Sequence, residues 1–170
     1  LGDDAGVHKA TPHAAKVPFF KGDQDMTPLD VVFDAHYQAQ LVLSDFQHVD
    51  YDYKKPDTKL NSAAEGGGDA TSGKIYQYPG DFLVSDSGDS LANIHLQEAE
   101  ALKLMLTGTS TVAHFSPGGK FTLKDHPRAD LNQGYILHRV EHSLKLTPQH
   151  LDSPSFYKNT YQAFLDSITF

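Results

Sequence analysis

An alternation of apolar and polar residues marks the clearest strand of the chain, from Tyr135 to Leu146. Successive side chains of a strand point to opposite faces, so every second residue shares a face. One face would carry Ile136, His138, Val140, His142 and Leu144. The other would carry Leu137, Arg139, Glu141 and Ser143. On a strand, at about 3.3 Å per residue, His138 and His142 would be about 13 Å apart, which argues against a shared metal ion.

Further strand-like runs are separated by turns rich in proline and glycine. They cover residues 31–53, 74–82, 109–115, 120–123 and 157–164. In the first run, Val49, Tyr51 and Tyr53 alternate with polar residues, which predicts that the apolar side chains face a core. The sequence Pro117-Gly118-Gly119 predicts a hairpin between the runs 109–115 and 120–123.

A single helix is predicted, from Asp89 to Leu106, with Asp86 or Ser87 as its N-terminal cap and Gly108 as its terminator. Its apolar stripe comprises Leu91, Ile94, Glu98, Leu102 and Met105, and it is widened by Ala92, Leu96, Ala99 and Leu106. One helix among about seven strands indicates a mainly β protein of the α+β class. We expect the strands within 109–146 to be consecutive and antiparallel, and to pack against this helix.

Three segments are predicted from the composition along the chain. Residues 1–60 form a strand-rich segment, in which Val17, Phe19 and Phe20 anchor a loop-like start. Residues 61–73, NSAAEGGGDATSG, form a flexible linker loop because they are small, polar and glycine-rich. Residues 74–170 form a lobe of helix and β-barrel. The three consecutive glycines of the linker lack the lysine and the strand-to-helix context of a phosphate-binding loop.

The overall composition excludes several classes of protein. The 170 residues carry 14 Lys and Arg against 22 Asp and Glu, a net charge of -8, which argues against general binding to a nucleic-acid backbone. There is no cysteine, so disulfides and thiolate metal sites are excluded. No apolar run is long enough to span a bilayer, and nothing at the start resembles a signal peptide. The chain begins at Leu1 without a methionine, from which we expect either processing or, in preference, a fragment excised from a longer protein.

Ten histidines raise the question of a metal site. The densest group is His138 and His142 with Glu141, which His114 and His126 could approach across a sheet. None of these pairs has the helical His-Glu-x-x-His spacing of a zinc site. Histidines that form hydrogen bonds within a sheet therefore explain the pattern better than metal ligands do, and no metal-binding residue is predicted.

Other kinds of catalytic site are equally unsupported. Ser85, Ser87 and Ser90 have no nucleophile motif and are typical of turns and caps. Asp50 and Asp52 would be about 7 Å apart on one strand face, a separation that glycosidases use, but nothing indicates a cleft. A third group, Asp125, Asp130 and Asn132, lacks the spacing of a calcium-binding EF-hand. We therefore predict no catalytic, metal-binding or cofactor-binding residue, and no enzyme activity.

Five segments of the sequence resemble a known family, and they occur in the same order as in that family. They are VDYDYKKPDTKL at 49–60, YQYPGDF at 76–82, GDSLANIHLQEAEALKLMLTGTS at 88–110, SPGGKFTLKDHPRADLNQGYILHRVEHSL at 116–144 and NTYQAF at 159–164. Together they resemble VgrG, the spike protein of bacterial type VI secretion systems, in the part similar to the hub of contractile phage tails. The resemblance runs from about Val17 to the C-terminus.

The resemblance implies an internal fragment of the hub, because family members have a β-barrel region before this stretch and an OB-fold with a β-helical needle after it. The hub is a trimeric ring of barrel-like lobes that joins the secretion tube to the membrane-puncturing needle. Implied partners are further copies of the chain, the tube protein, and secreted effectors or adaptors, with no nucleic acid and no stable membrane insertion. The protein would reside in the bacterial cytoplasm and be secreted when the machinery fires.

In this interpretation the segment 121–142 is a barrel hairpin. The residues expected to pack are Phe121, Leu123, Tyr135, Ile136 and Val140, and the exposed connection is 125–133. His126-Pro127 would set a turn, while Asn132 and Gly134 would allow left-handed backbone. The residues expected to form subunit contacts are Val17, Phe19, Phe20, Phe164, Ile168 and Phe170. The alternatives are the hub of a contractile phage tail or tail-like particle, a metal-dependent hydrolase and a carbohydrate-binding β-module.

Overall fold

The computed structural model describes residues 7–22, 30–66, 73–145 and 156–167, without the side chain of Phe156. The chain divides into two compact units. The first contains the described residues of Leu1–Gln38 and Leu104–Thr169, and the second is built from Ala39–Lys103. The predicted linker 61–73 therefore falls within the second unit.

The described residues form one α-helix and a set of β-strands, which confirms the prediction of a mainly β protein of the α+β class. The helix is α1 (Ser85–Ala101). The strands are β1 (Lys16–Pro18), β2 (Val32–Ala39), β3 (Asp45–Tyr51), β4 (Lys59–Glu65), β5 (Lys74–Gln77), β6 (Leu104–Ser110), β7 (Lys120–Lys124), β8 (Gly134–Lys145) and β9 (Phe156–Leu165). A short 3-10 turn spans Ala129–Leu131.

The first unit is a curled six-stranded sheet in the order β1-β7-β8-β9-β6-β2. β7, β8 and β9 pair antiparallel in sequence, β6 joins β9 antiparallel, and β1 pairs parallel with β7. An isolated bridge between Phe19 and Val32 brings the two ends of the sheet together at one point. The curled sheet therefore approaches a barrel and encloses a core on its inner face.

Aromatic side chains dominate that core. Phe121 lies 4.7 Å from Phe115 and 5.7 Å from both Tyr135 and Tyr161, measured between ring centroids. All four rings are almost completely buried. Such rings contribute large apolar areas as well as favourable edge and tilted contacts. The predicted packing of Phe121, Leu123, Tyr135 and Val140 in this core is confirmed, with Val140 only partly buried. Ile136 is buried as predicted, but on the other face of the sheet.

The second unit is the three-stranded sheet β4-β3-β5 with α1 packed on one face. The helix contacts β4 and β3, and its buried residues are Gly88, Ala92, Leu96 and Ala101. His48 of β3 is buried beneath the helix, where its Nε2 donates to the Gly88 carbonyl over 2.6 Å. The predicted packing of α1 against the strands of 109–146 is therefore wrong, because the helix closes a different sheet.

The boundaries and the buried face of the helix differ from the prediction. α1 ends at Ala101, and Leu104 to Leu106 belong to β6. Val84 occupies the N-cap position without a side-chain hydrogen bond, so neither Asp86 nor Ser87 caps the helix. The predicted stripe is exposed: Leu91 is 36%, Ile94 55% and Leu102 39% accessible. Ala92 and Leu96, which were predicted to widen the apolar face, are buried against the sheet together with the small residues Gly88 and Ala101.

The predicted hairpin of 109–115 with 120–123 is also wrong. β6 pairs with β9 and β2, whereas β7 lies between β1 and β8. The turn before β7 nevertheless requires glycine, because Gly118 has a φ of +83° and its amide donates to the Leu137 carbonyl. In the predicted linker, Asn61–Glu65 form part of β4, which buries alternate side chains, and 67–72 lie outside the described residues.

Candidate functional site

A β-bulge in β8 separates the two histidines that the sequence placed on one face. The pairing with β9 passes from Leu137–Ala163 to Arg139–Gln162, so β8 contains one extra residue at His138. Val140 and His142 therefore share the inner face with Leu137, whereas Ile136 pairs with Phe164 on the outer face. The predicted common face is wrong.

The two histidines also have different surroundings, although both are exposed. The His138 ring lies 6.4 Å from the Phe164 ring, measured between centroids. His142 forms a hydrogen bond between its Nδ1 and the Tyr157 hydroxyl. Glu141 pairs with Arg139. No pair of these side chains is arranged to hold one ion.

The other two histidines of the predicted group lie apart from these. The His114 ring is tilted against the His13 ring, with centroids 5.4 Å apart, and the His126 ring makes an edge contact with Phe19 at 4.3 Å. Among the residues that the structure describes, no three His, Asp or Glu side chains are close enough together to hold a metal ion.

Hydrogen bonds within the loop 125–133 hold its conformation. They engage Asn132 and Asp130, two of the side chains considered as calcium ligands. The side-chain amide of Asn132 makes two hydrogen bonds to the backbone of His126, each over 2.9 Å. Its Oδ1 accepts from the His126 N–H, and its Nδ2 donates to the His126 carbonyl. Asp130 forms an ion pair with Arg128, which holds the pKa of the Asp130 carboxyl below its usual value. The predicted left-handed backbone at Asn132 and Gly134 is absent; Asp125 adopts it instead, with a φ of +61°.

The same loop is fixed to the sheet by two tyrosine hydroxyls. Tyr135 donates to the Leu131 carbonyl over 2.9 Å, and Tyr37 donates to the Asp130 carbonyl over 3.1 Å. The two hydroxyls lie 2.9 Å apart. Burial and this contact raise the pKa of Tyr135, so it remains a neutral hydrogen-bond donor.

Asp50 and Asp52 have structural roles in turns. The Asp50 carboxylate accepts from the backbone amides of Tyr51, over 2.7 Å, and Phe82, over 3.2 Å. The amide of Tyr51 contributes most to lowering the pKa of Asp50. Asp52 accepts from the Lys54 amide over 2.8 Å. These bonds fix the turn after β3 and the approach to α1. The three candidate serines lie in α1, where Ser90 donates to the Asp86 carbonyl.

One arrangement on the outer face of the first sheet was not predicted. His36 of β2 has its Nε2 2.8 Å from the Thr107 hydroxyl of β6, and its Nδ1 lies 3.8 Å from Asp34. The order Thr-His-Asp is that of a catalytic triad, but the His–Asp distance exceeds a hydrogen bond. His36 and Asp34 are each more than half exposed, so water competes for every contact. The group fits a polar exposed sheet face, and no sequence motif indicates it.

Residues predicted to cover subunit contacts are largely committed to the core. Val17 is buried in β1 opposite Leu123 of β7, and Phe164 is buried in β9 opposite Ile136 and Met105. Phe19 and Phe20 are half-buried. The prediction that these residues lack strand partners within the chain is therefore wrong for Val17, Phe19 and Phe164. Ile168 and Phe170 lie outside the described residues.

The available surfaces of the first unit are strand edges. β8 pairs with β7 only over Gly134 to Ile136, but with β9 as far as Lys145. Among the described residues, no strand pairs with the β7 side of β8 from 138 to 145. Such an edge offers backbone donors and acceptors to another strand. This stretch of β8 is therefore available for pairing with a further strand.

A comparison with known families agrees with this architecture. Residues 1–148 match the family described as the phage tail baseplate hub (GPD). The chain belongs to this family. Among its relatives are the type VI secretion system spike proteins VgrG1b and VgrG1c of Pseudomonas aeruginosa, each 24% identical over 144 residues and 84% of this chain. The resemblance to VgrG inferred from the sequence is confirmed.

Solved structures of tail proteins share the fold. The 43 kDa tail protein of prophage MuSo2 from Shewanella oneidensis aligns with 96% of this chain at a TM-score of 0.63 and 8% identity. A tail protein from Neisseria meningitidis aligns with 91% at a TM-score of 0.60 and 10% identity. This hub-family chain spans 19% and 20% of the two spike proteins, and 47% and 44% of the two tail proteins. Homology therefore supports a structural role in a tail or spike hub.

Proposed function

We propose that this chain is the hub portion of a type VI secretion spike, where three copies form a ring that joins the secretion tube to the membrane-puncturing needle. The family match over residues 1–148 carries the proposal, together with spike relatives that align with 84% of the chain. In this role the chain is a mechanical adaptor without catalytic activity. The bonding of its histidines and carboxylates within turns and sheets supports that part of the proposal.

The open edge of β8 supports the ring. A ring subunit joins its neighbours through two different surfaces, and a free strand edge is well suited to such a contact. Leu144 lies on this stretch of β8 and is 59% exposed, an unusual position for leucine on an unpaired edge. We propose that the neighbouring subunit covers Leu144 and the backbone around it.

The remaining partners follow from the same role. They are the tube protein and the secreted effectors or adaptors, and nucleic acid is not among them. The net charge of -8 supports the exclusion of nucleic acid. Within the described residues, no helix is long and apolar enough to cross a membrane. The protein would be in the bacterial cytoplasm before firing and outside the cell or in a target cell afterwards.

A second candidate is the baseplate hub of a contractile phage tail or tail-like particle. The two tail proteins with the same fold, at TM-scores of 0.63 and 0.60, favour this candidate. Deleting the gene distinguishes the two functions. The spike function requires loss of tube-protein secretion, whereas the phage function requires loss of assembled tails with secretion unchanged.

The ring is tested by sedimentation of the intact protein that contains this chain. We expect a trimer, and we expect Leu144→Glu to shift it towards monomer because it places a charge at a covered edge. Leu41→Glu is the matched control, since Leu41 is 69% exposed in the second unit. A monomeric wild type, or a Leu144→Glu protein that trimerises as well as the control, contradicts the proposed ring.

A further inference from the structure

The helix of the second unit covers only part of its sheet. α1 packs mainly on β4 and β3, and no helix among the described residues packs closely on the third strand, β5. Ile75 of β5 is next to Phe46 of β3 and points to the same face as that ring, because paired residues share a face. Ile75 is 37% exposed, whereas Phe46 is 6% exposed under the helix. In the described part of the chain, no helix completes the layer above β5.

An apolar groove of about 240 Å³ occupies that position. Phe46, Leu96 and Ala99 line it, with Ile75 on the strand side and Leu102 at the end of the helix. Drug-sized ligands generally need more than about 300 Å³, so the groove suits single side chains better than a small molecule. The apolar lining indicates that those side chains are aliphatic or aromatic.

The rim of the groove carries one exposed carboxylate. Glu98 of α1 lines it and is 73% exposed; its ion-pair partner in the described residues is His95, at 3.8 Å. His95 also stacks on the Phe46 ring, with centroids 4.7 Å apart. Asp45 also lines the groove, but it alternates with Phe46 along β3, so its carboxylate points to the other face of the sheet, where Lys74 is next to it. The sequence of α1 contains no Lys or Arg, so Glu98 remains available to a cation from outside the groove.

Beside the groove, β5 has a free edge. β5 pairs with β3 on one side, and no strand among the described residues pairs with the other. A strand added there would alternate its side chains between the two faces of the sheet. Those on the helix side would enter the groove next to Ile75. Backbone pairing and the groove would then recognise the same segment, as in other cases of strand addition.

We propose that this surface binds an extended segment of a second protein, which pairs with β5, inserts an apolar side chain beside Ile75 and places a lysine or arginine against Glu98. The negative charge of Glu98 indicates which segment can occupy the groove. The parts of this chain outside the described residues, 1–6, 23–29, 67–72, 146–155 and 168–170, contain no Lys or Arg. A second copy that docked through the same surface would oppose Glu98 to Glu98, which is unfavourable. The surface does not depend on the proposed ring.

The test uses the full chain and fluorescein-labelled synthetic peptides followed by fluorescence polarisation. The probe alternates leucine or valine with lysine. One control replaces each lysine by glutamate, and a second keeps the lysines but carries N-methyl groups on alternate backbone amides, which blocks strand pairing. We expect saturable binding of the probe that is about tenfold tighter than for either control. Added salt should weaken it, because the rim is exposed.

Variants of the chain locate the site. Ile75→Asp and Glu98→Lys should each weaken binding of the probe by about tenfold or more. Tyr76→Asp is the matched control, because Tyr76 lies on the opposite face of β5 and is 62% exposed. Its affinity should match the wild type, and unfolding curves show whether each variant is folded.

Several results would overturn the proposal. They are the absence of saturable binding, equal binding of the lysine and glutamate peptides, binding of the N-methylated peptide at full strength, and equal effects of Ile75→Asp and Tyr76→Asp. Sedimentation of the chain could give a further result that overturns the proposal. A dimer that Ile75→Asp dissociates would mean that a second copy occupies the groove. The Leu144→Glu result is independent, so the proposed ring and this site can fail separately.

Discussion

Gly88 lies where α1 packs closest to its sheet, and Gly88→Ala tests that packing. A Cβ at this position would lie 2.4 Å from the Ser62 hydroxyl and 2.6 Å from the Phe82 ring. Phe82 is buried and cannot move aside freely. In an exposed helix the same substitution would stabilise the fold by about 1 kcal/mol, because glycine is a poor helix former. Here the two effects oppose each other.

The steric effect should be the larger. Inserting a methyl group into a packed core costs about 1–3 kcal/mol. The contact also displaces the Gly88 carbonyl, which accepts a hydrogen bond from buried His48. We therefore expect a net loss of about 1–2 kcal/mol in the free energy of unfolding. With a urea dependence of about 2 kcal/mol per molar, the midpoint should fall by roughly 0.5–1 M.

Urea unfolding followed by circular dichroism at the helix band measures this change, since α1 is the one α-helix among the described residues. Ser87→Ala is the control: it is the adjacent helical position but exposed, so stability should stay equal or rise slightly. In a Phe82→Leu background, Gly88→Ala should cost about 1 kcal/mol less, because the smaller side chain makes room. If Gly88→Ala matches or exceeds the stability of Ser87→Ala, the close packing is wrong.

Three further predictions follow from the same geometry. His48→Ala should lower the free energy of unfolding by about 2–5 kcal/mol, because it leaves a cavity and an unpaired Gly88 carbonyl. Urea unfolding measures this loss, and a loss below that range contradicts the role of His48. The pKa of Asp50 is below its usual 3.8 in the folded chain, so its stabilisation is present above that value and lost as pH falls through the lower folded value. Melting temperatures across acidic pH should therefore fall less steeply for Asp50→Asn, and identical slopes would be the contrary result. Elemental analysis should find no stoichiometric zinc, and the exposed pair His138→Ala and His142→Ala should change stability by less than about 0.5 kcal/mol each; one zinc per chain would refute this.

The strands of the first unit could be predicted because their local pattern is strong. The run 120–123 corresponds to β7, 157–164 to β9, and 135–146 to β8 within one or two residues. The facing of β8 could not be predicted. Its bulge occurs at His138 without a glycine or proline to indicate it, and the extra residue exchanges the two faces beyond that point. The order of the strands depends on contacts distant in sequence, which the turn at Gly118 does not reveal.

Orientation failed in the second unit for a related reason. Hydrophobicity predicted that Val49, Tyr51 and Tyr53 face the core, yet Tyr51 is 55% and Tyr53 77% exposed. The buried side chains of β3 are Phe46 and His48, and the histidine is accommodated by its bond to Gly88. A buried polar group with a hydrogen bond is tolerated. Its partner is 40 residues away, so the pattern around His48 alone predicts exposure.

The functional surfaces were misassigned in a consistent direction. Leu91 and Ile94 have the pattern of core residues and are exposed, whereas Val17 and Phe164 were assigned to an interface and are core. Both kinds of position select apolar side chains, because a subunit interface buries them much as a core does. Hydrophobic periodicity shows that a side chain is apolar, but not whether the same chain or a neighbouring subunit buries it. The order of several motifs identified the hub family, and the function proposed for the chain depends on its surfaces rather than on reactive groups. Apolar residues that the fold leaves exposed, such as Leu144 and Ile75, are therefore the positions at which mutation can separate assembly from folding.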